Sequence, residues 1–394
     1  MSSSTSNSRK TYLKIVLSLG AAMLVTVICF HVFLHAMGAN RLMGRVVEAR
    51  EALPEIVKRD ETQMMFFGSS MVDLGFAPRE FDKYVKRMGK DVSAYNFGFG
   101  GLNPYFQDYL ARRIKEEYQK EDKKLKLAVI EFNPFQTTQT RWNRAQSAID
   151  AYLTMLASDK ELWEIAVEDP KRGLLLFNIK YMRGGISAEM VTSFFGRDMF
   201  PAKRQTRLQD SQEVQDKRNE INKQRRELFD KDFPDYHDKR WYLPWQGGGT
   251  IASERTPEAV ELAKQMIALQ HTDARMTNYV NGRIHSADIL ELNMEPQLVA
   301  SFIRIVEHFK QFADKVEIVM LPRNTDWITY TPEARARLDK AIAQIEQATG
   351  LKVVDHQDIP QVTPDMFWDA THLARYMGDV AYTQFIAEQY FDDL

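Results

Sequence analysis

Two short stretches, far apart in the chain, carry residue types that together can activate a serine. The first is Gly68-Ser69-Ser70, which follows the apolar run Met64 to Phe67. The second is Asp369-Ala-Thr-His372, close to the C-terminal end. A small-residue turn leaving the carboxyl end of a buried strand can expose a hydroxyl at the top of a sheet. Backbone N–H groups of the same turn are then placed to hold an oxyanion. An Asp-x-x-His pair in one loop lets the carboxylate orient the imidazole, and the imidazole take a serine proton. Gly-Ser-Ser alone is equally an ordinary strand-to-loop turn. The distant pair gives it chemical meaning. Ser69 is the alternative to Ser70, and Asp73 and Asp365 are the alternatives to Asp369.

With both stretches present, the chain resembles the SGNH/GDSL hydrolase superfamily. That family's nucleophile is the third residue of its first block, here Ser70, and its Asp-x-x-His lies near the C-terminus. Within it the likeness is to membrane-anchored members: the DltD family of D-alanyl transfer proteins and the SGNH-type acyltransfer partners of MBOAT proteins. These also carry Gly-Ser-Ser behind an N-terminal transmembrane helix. The resemblance implies Ser70 as nucleophile, His372 as base and Asp369 as the residue that holds the imidazole. The second family block, Asn-x-(Gly/Ser)-x-x-Gly, is matched by Asn96, Gly98 and Gly101, and implies that the Gly101 N–H serves the oxyanion. Of the third block, Gly-x-Asn-Asp, only Asn133 survives, with Pro134 standing where the Asp would be. Asn133 is either a further oxyanion donor or part of a plain Asn-Pro turn. The match covers roughly residues 62–135 and 315–394.

The function implied by the resemblance is a membrane-anchored serine O-acyltransferase. It would work with an MBOAT-type membrane partner and move an acyl group, acetyl or alternatively D-alanyl, through an acyl-serine onto an extracytoplasmic envelope polysaccharide or polymer. A membrane-tethered carbohydrate or lipid esterase and a non-catalytic assembly protein are the two other readings. No cofactor is implied. His237, His271, His285, His308 and His356 lack metal-ligand spacing, so no metal is expected either.

These residues need a scaffold, and the chain has room for one. It has 394 residues, a formal charge of −2 and a single cysteine, Cys29. Near-neutral charge gives no global sign of a nucleic-acid partner. With one cysteine no intramolecular disulfide can form. Residues 1–14 form a polar tail ending in basic residues, and 15–37 form an apolar run long enough to cross a bilayer. Arg9, Lys10 and Lys14 favour a cytoplasmic N-terminus, which places the remainder on the extracytoplasmic, periplasmic side of the cell membrane. Residues 38–61 read as an amphipathic connector. Residues 62–394 read as an α/β domain with an insertion at about 136–294.

Apolar runs at 64–67, 92–97, 125–132, 316–321 and 351–355 alternate with helical patterns, which argues for a parallel, doubly wound sheet. Pro78, Asn103-Pro104 and Thr331-Pro332 mark helix starts, and Gly350 marks a helix end. The insertion is largely helical. Its charged run 211–231, with Val214, Ile221 and Leu228 in a sparse stripe, predicts a solvated helix or a short coiled-coil contact. The aromatic, glycine-rich stretch 241–249 either lines an acceptor site or packs over the sheet.

Overall fold

The computed structural model describes residues 4–36, 44–146, 149–182, 211–234, 254–271, 284 and 288–394. The stretch 241–249, with His237 and His285, lies outside the described residues. Two compact units are present. One comprises Met1–Gly44 and Ala145–Thr206; the other comprises Arg45–Arg144 and Arg207–Leu394.

In the first unit, helix α1 (Ser4–Ala36) contains a stretch, Lys10–Cys29, long and apolar enough to span a membrane. This stretch begins a few residues before the 15–37 run expected from composition. The same unit holds α7 (Ile149–Leu156), α8 (Asp159–Glu168) and α9 (Pro170–Phe177). Ser158 and Glu161 form a reciprocal capping box at the start of α8, and Asp169 accepts from Lys171 and Arg172 N–H at the start of α9.

The second unit is an α/β body. Its helices are α2 (Gly44–Val57), α3 (Ser70–Gly75), α4 (Pro78–Arg87), α5 (Pro104–Lys120), α6 (Gln139–Ala145), α10 (Gln212–Asp232), α11 (Pro257–Gln270), α12 (Pro296–Phe309), α13 (Pro332–Thr349) and α14 (Gly378–Gln389). Five strands, β1 (Gln63–Ser69), β2 (Ser93–Phe99), β3 (Leu125–Glu131), β4 (Ala313–Met320) and β5 (Val353–Asp355), form one all-parallel sheet in the order β2-β1-β3-β4-β5. Strand β1 is buried along its whole length, as a strand covered on both faces must be. Successive side chains on a strand point to opposite faces. Phe66 accordingly packs against Phe76 and Tyr382 of α14, while Phe67 packs against Phe309 of α12. Helices therefore cover both faces.

The chain steps from β1 outward to β2, then returns past β1 to β3. This reversal opens a crevice at the carboxyl ends of β1 and β3, where sheets of this kind hold their ligands. Ser70 follows β1 and Asn133 follows β3, so both lie at that switch point.

Two boundaries differ from the sequence expectation. The 38–61 connector is largely helix α2, whose Ala52, Leu53, Ile56 and Val57 are buried. Its last turn is tied to the sheet: the Gln63 amide donates to the Ile56 carbonyl at 2.7 Å and accepts from the Tyr118 hydroxyl at 2.7 Å. The 136–294 insertion is not one block either, since 145–206 belongs to the first unit and 207 onward to the second. In the second part, Ile221 of α10 packs on Leu262 and Met266 of α11. The sparse apolar stripe of the charged run is thus used within the chain.

Candidate active site

Ser70 opens the short helix α3 immediately after β1. Its hydroxyl donates to Nε2 of His372 across 2.8 Å, bridging 302 residues of sequence. Nδ1 of His372 lies 2.8 Å from Oδ2 of Asp369. A carboxylate only accepts, so Nδ1 carries the proton and Nε2 is left as the acceptor facing serine. The other oxygen of Asp369, Oδ1, accepts from the backbone N–H groups of Thr371 at 2.8 Å and His372 at 2.9 Å. One carboxylate therefore folds the turn and orients the ring at once. Trp368 N–H donates to the His372 carbonyl at 2.7 Å, closing the loop on itself. Asp369 and His372 are 2 % and 7 % exposed, whereas Ser70 is half-buried, so only the serine end of this relay faces outward.

The turn that carries Ser70 is held from three directions. Ser69 caps α3, its Oγ accepting from Met71 N–H at 3.2 Å. From β2, the Asn96 side chain donates to the carbonyls of Val72 at 2.9 Å, Asp73 at 3.3 Å and Phe76 at 2.8 Å. It also accepts from Gly98 N–H at 2.9 Å. Position 98 admits no side chain, because a Cβ there would lie 2.2 Å from the Asp73 backbone nitrogen. The Asn-x-Gly pair thus lets α3 lie directly on β2 and fastens it there. Gly100 is close by, a Cβ built on it falling 3.6 Å from that of Ser70, and Gly101 follows with φ +79°.

The third support comes from β3. Glu131, fully buried, accepts a short bond from Ser69 N–H and lies 3.1 Å from the Ser69 hydroxyl. Gly68 leaves it room, since a Cβ there would meet the Glu131 carboxyl at 2.4 Å. Burial pushes the Glu131 carboxyl up to about 7, against the lowering effect of its bonds to Ser69 and Asn133. The Asn133 amide donates to Ser69 Oγ at 2.8 Å and to Glu131 Oε1 at 2.9 Å. Its carbonyl oxygen accepts from Phe135 and Gln136 N–H. Both the amide nitrogen and the amide oxygen of the Asn133 side chain are engaged inside the protein. Its geometry is that of the Asn-Pro turn, with the amide bracing the layer beneath Ser70.

The structure thus brings Ser70, His372 and Asp369 into one hydrogen-bonded relay and sets Gly100-Gly101 beside it. Asp365 is instead bonded to the Thr363 hydroxyl. Glu131 went unremarked among the candidate residues of the sequence. The available signal was a carboxylate directly after the apolar run Leu127–Ile130, a buried position that is rare for Glu without a specific partner. No protein-family model matches this chain, and no curated protein matches it.

Proposed function

We propose that the protein is a membrane-anchored serine acyltransferase of SGNH type, with Ser70, His372 and Asp369 as its catalytic residues. The observation that carries this reading is the pair of 2.8 Å bonds linking Ser70, His372 and Asp369 at the switch point of a parallel sheet. His372 takes the Ser70 proton as Oγ attacks an ester or thioester carbonyl, and Asp369 stabilises the imidazolium that forms. The oxyanion is held by the N–H groups of the Ser70 turn and Gly101. His372 returns the proton to the leaving group, which departs and leaves an acyl-serine. An acceptor hydroxyl, deprotonated by the same imidazole, then attacks that ester, and the acyl group moves on as Ser70 recovers its proton.

The N-terminal helix, apolar enough to span a membrane, supports an anchored enzyme with its N-terminus in the cytoplasm and its α/β unit outside the membrane. The acceptor in this reading is an envelope polysaccharide or polymer, the acyl group is acetyl, and an MBOAT-type protein delivers it. The test is labelling of the detergent-solubilised full chain with a fluorophosphonate serine probe. Labelling lost in both Ser70→Ala and His372→Ala is the expected result. Labelling unchanged in Ser70→Ala would overturn the assignment. Acyl ester on envelope polymer that disappears from cells carrying only Ser70→Ala separates transfer from simple hydrolysis.

A further inference from the structure

Single apolar side chains lie exposed on most protein surfaces, whereas a cluster of them marks a contact. Among the described residues outside α1, the exposed large hydrophobics are Met88 and six residues within positions 163–181: Trp163, Val167, Leu174, Leu175, Phe177 and Tyr181. All six sit on α8, α9 and the turn Asn178–Met182 that continues α9. Trp163 is 70 % exposed and Leu174 71 %.

This segment has a core of its own, and the six lie outside it. Leu153 and Leu156 of α7, Leu176 of α9 and Ile179 are buried. Helices α8 and α9 touch at Ala166 and Gly173, where a Cβ on Gly173 would fall 2.4 Å from that of Ala166. Arg172 Nη2 donates to Asp150 of α7 at 2.8 Å, and Lys180 is paired with Asp159. The packing therefore fixes which side of α9 turns outward. At 3.6 residues per turn, Leu174 lies between Leu175 and Phe177 on the side away from Leu176. The ring of Phe177 is 4.9 Å from that of Tyr181, which extends the face by a turn.

Chemistry and position select what covers this face. From Pro170 to Met182 the chain has Lys171, Arg172 and Lys180 and no acidic residue. Trp and Tyr beside leucines, with cations at the margin, suit a lipid interface. Their rings straddle the apolar and wet layers, and lysine stems carry their charge to the headgroups. Protein interfaces instead deplete lysine. The same compact unit contains α1, so a bilayer spanned by α1 is kept near this face at high effective concentration.

We infer that α9 and the turn after it lie in the headgroup boundary of the bilayer that α1 spans. Leu174, Leu175 and Phe177 reach the acyl chains, while Trp163 and Tyr181 stay at headgroup level. This rests on the anchored part of the proposed function and not on the catalytic residues. Helix α1 is then not the sole attachment, and the second contact fixes how its unit is oriented on the membrane.

The test is electron paramagnetic resonance on the full chain in phosphatidylcholine nanodiscs, in a Cys29→Ala background. Spin labels are attached singly through Leu174→Cys and Phe177→Cys. The controls are Leu19→Cys on α1 and the exposed Lys352→Cys of the second unit. Power saturation compares access of oxygen, which concentrates in lipid, with access of a nickel chelate, which stays in water. The oxygen-to-nickel ratio at 174 and 177 is expected several-fold above that at 352, toward that at 19. A ratio equal to that at 352 would place the face in water and overturn the inference. Low access of both reagents would mean that protein covers it, a second copy or another chain, and would overturn it equally. A lipid reading at 19 alone would leave the anchor standing without this contact. An aqueous reading at 19 would sink the anchor, and lipid readings at 174 and 177 would uphold the surface contact without it. Thermal melts identify a label that disturbs the fold, and Leu175→Cys supplies a substitute position.

Discussion

Ser69 and Ser70 are consecutive, yet their hydroxyls belong to different environments. Ser69 is 1 % exposed and its Oγ is bonded to Glu131, Asn133 and Met71, so its capacity is spent beneath the turn. Ser70 is half-buried and its Oγ is bonded to the His372 imidazole. The change of backbone direction at the end of β1 separates the two. One serine is a cap and a strut; the other is the hydroxyl presented to the crevice.

Asp369→Asn should leave the fold intact and slow serine labelling on the order of 10⁴-fold. An amide can donate to Nδ1 and so favours the tautomer with its proton on Nε2, where it can no longer accept from Ser70. Pseudo-first-order labelling rates measure this. A loss of less than tenfold would mean that His372 works without Asp369.

Glu131 makes stability depend on pH. Its folded value, about 7, lies above the ordinary 4.5, so the native state binds more protons than the unfolded chain between those values. The contribution is therefore fully present below about pH 4.5 and is lost as pH rises through 7. The difference corresponds to on the order of 3 kcal/mol at ~1.4 kcal/mol per pH unit. Asp82, raised to about 8, and Asp379, raised to about 6, act in the same sense. Urea midpoints of the wild type should fall between pH 5 and 8. Glu131→Gln should flatten that decline, and an unchanged slope would show that Glu131 is not its source.

Asn96→Ala removes the donors that hold three carbonyls of the α3 segment. The loss of stability should be on the order of 2–4 kcal/mol, because those buried carbonyls are left without their side-chain donor. Serine labelling should slow as well, since the displaced helix carries Ser70. A stability loss with wild-type labelling would show that α3 keeps its position without Asn96.

Gly98→Ala should be more damaging than its size suggests. The added methyl carbon would stand 2.2 Å from the Asp73 nitrogen, a backbone atom that can retreat only if α3 moves. Little soluble protein is expected. Any that is recovered should show lowered thermal stability and weakened labelling together, whereas a fully active variant would refute the close-approach explanation.

Much of this was legible from local sequence. The buried strand 64–67, the caps at Asn103 and Thr331 and the Gly350 terminus follow from side-chain and backbone preferences acting over a few residues, and each is present. Helix α11 was less visible, lying in a stretch whose pattern did not stand out beside the insertion's charges.

Residue type and local spacing by themselves pointed to Gly68-Ser69-Ser70 and the Asp369/His372 loop, because an Asp-x-x-His pair can set its carboxylate against its imidazole, and the family resemblance then favoured Ser70 over Ser69 and Asp369 over Asp365. Only the tertiary structure decided what lies beneath and beside them. Parallel pairing of β3 with β1 sets Glu131 and Asn133 under Ser69, and that register depends on the packing of the whole sheet. Docking of α10 on α11 turns Arg225 toward Arg375, residues 150 positions apart by number (375 − 225). No local preference encodes such a meeting, because its stability comes from surfaces that touch only after the chain has folded.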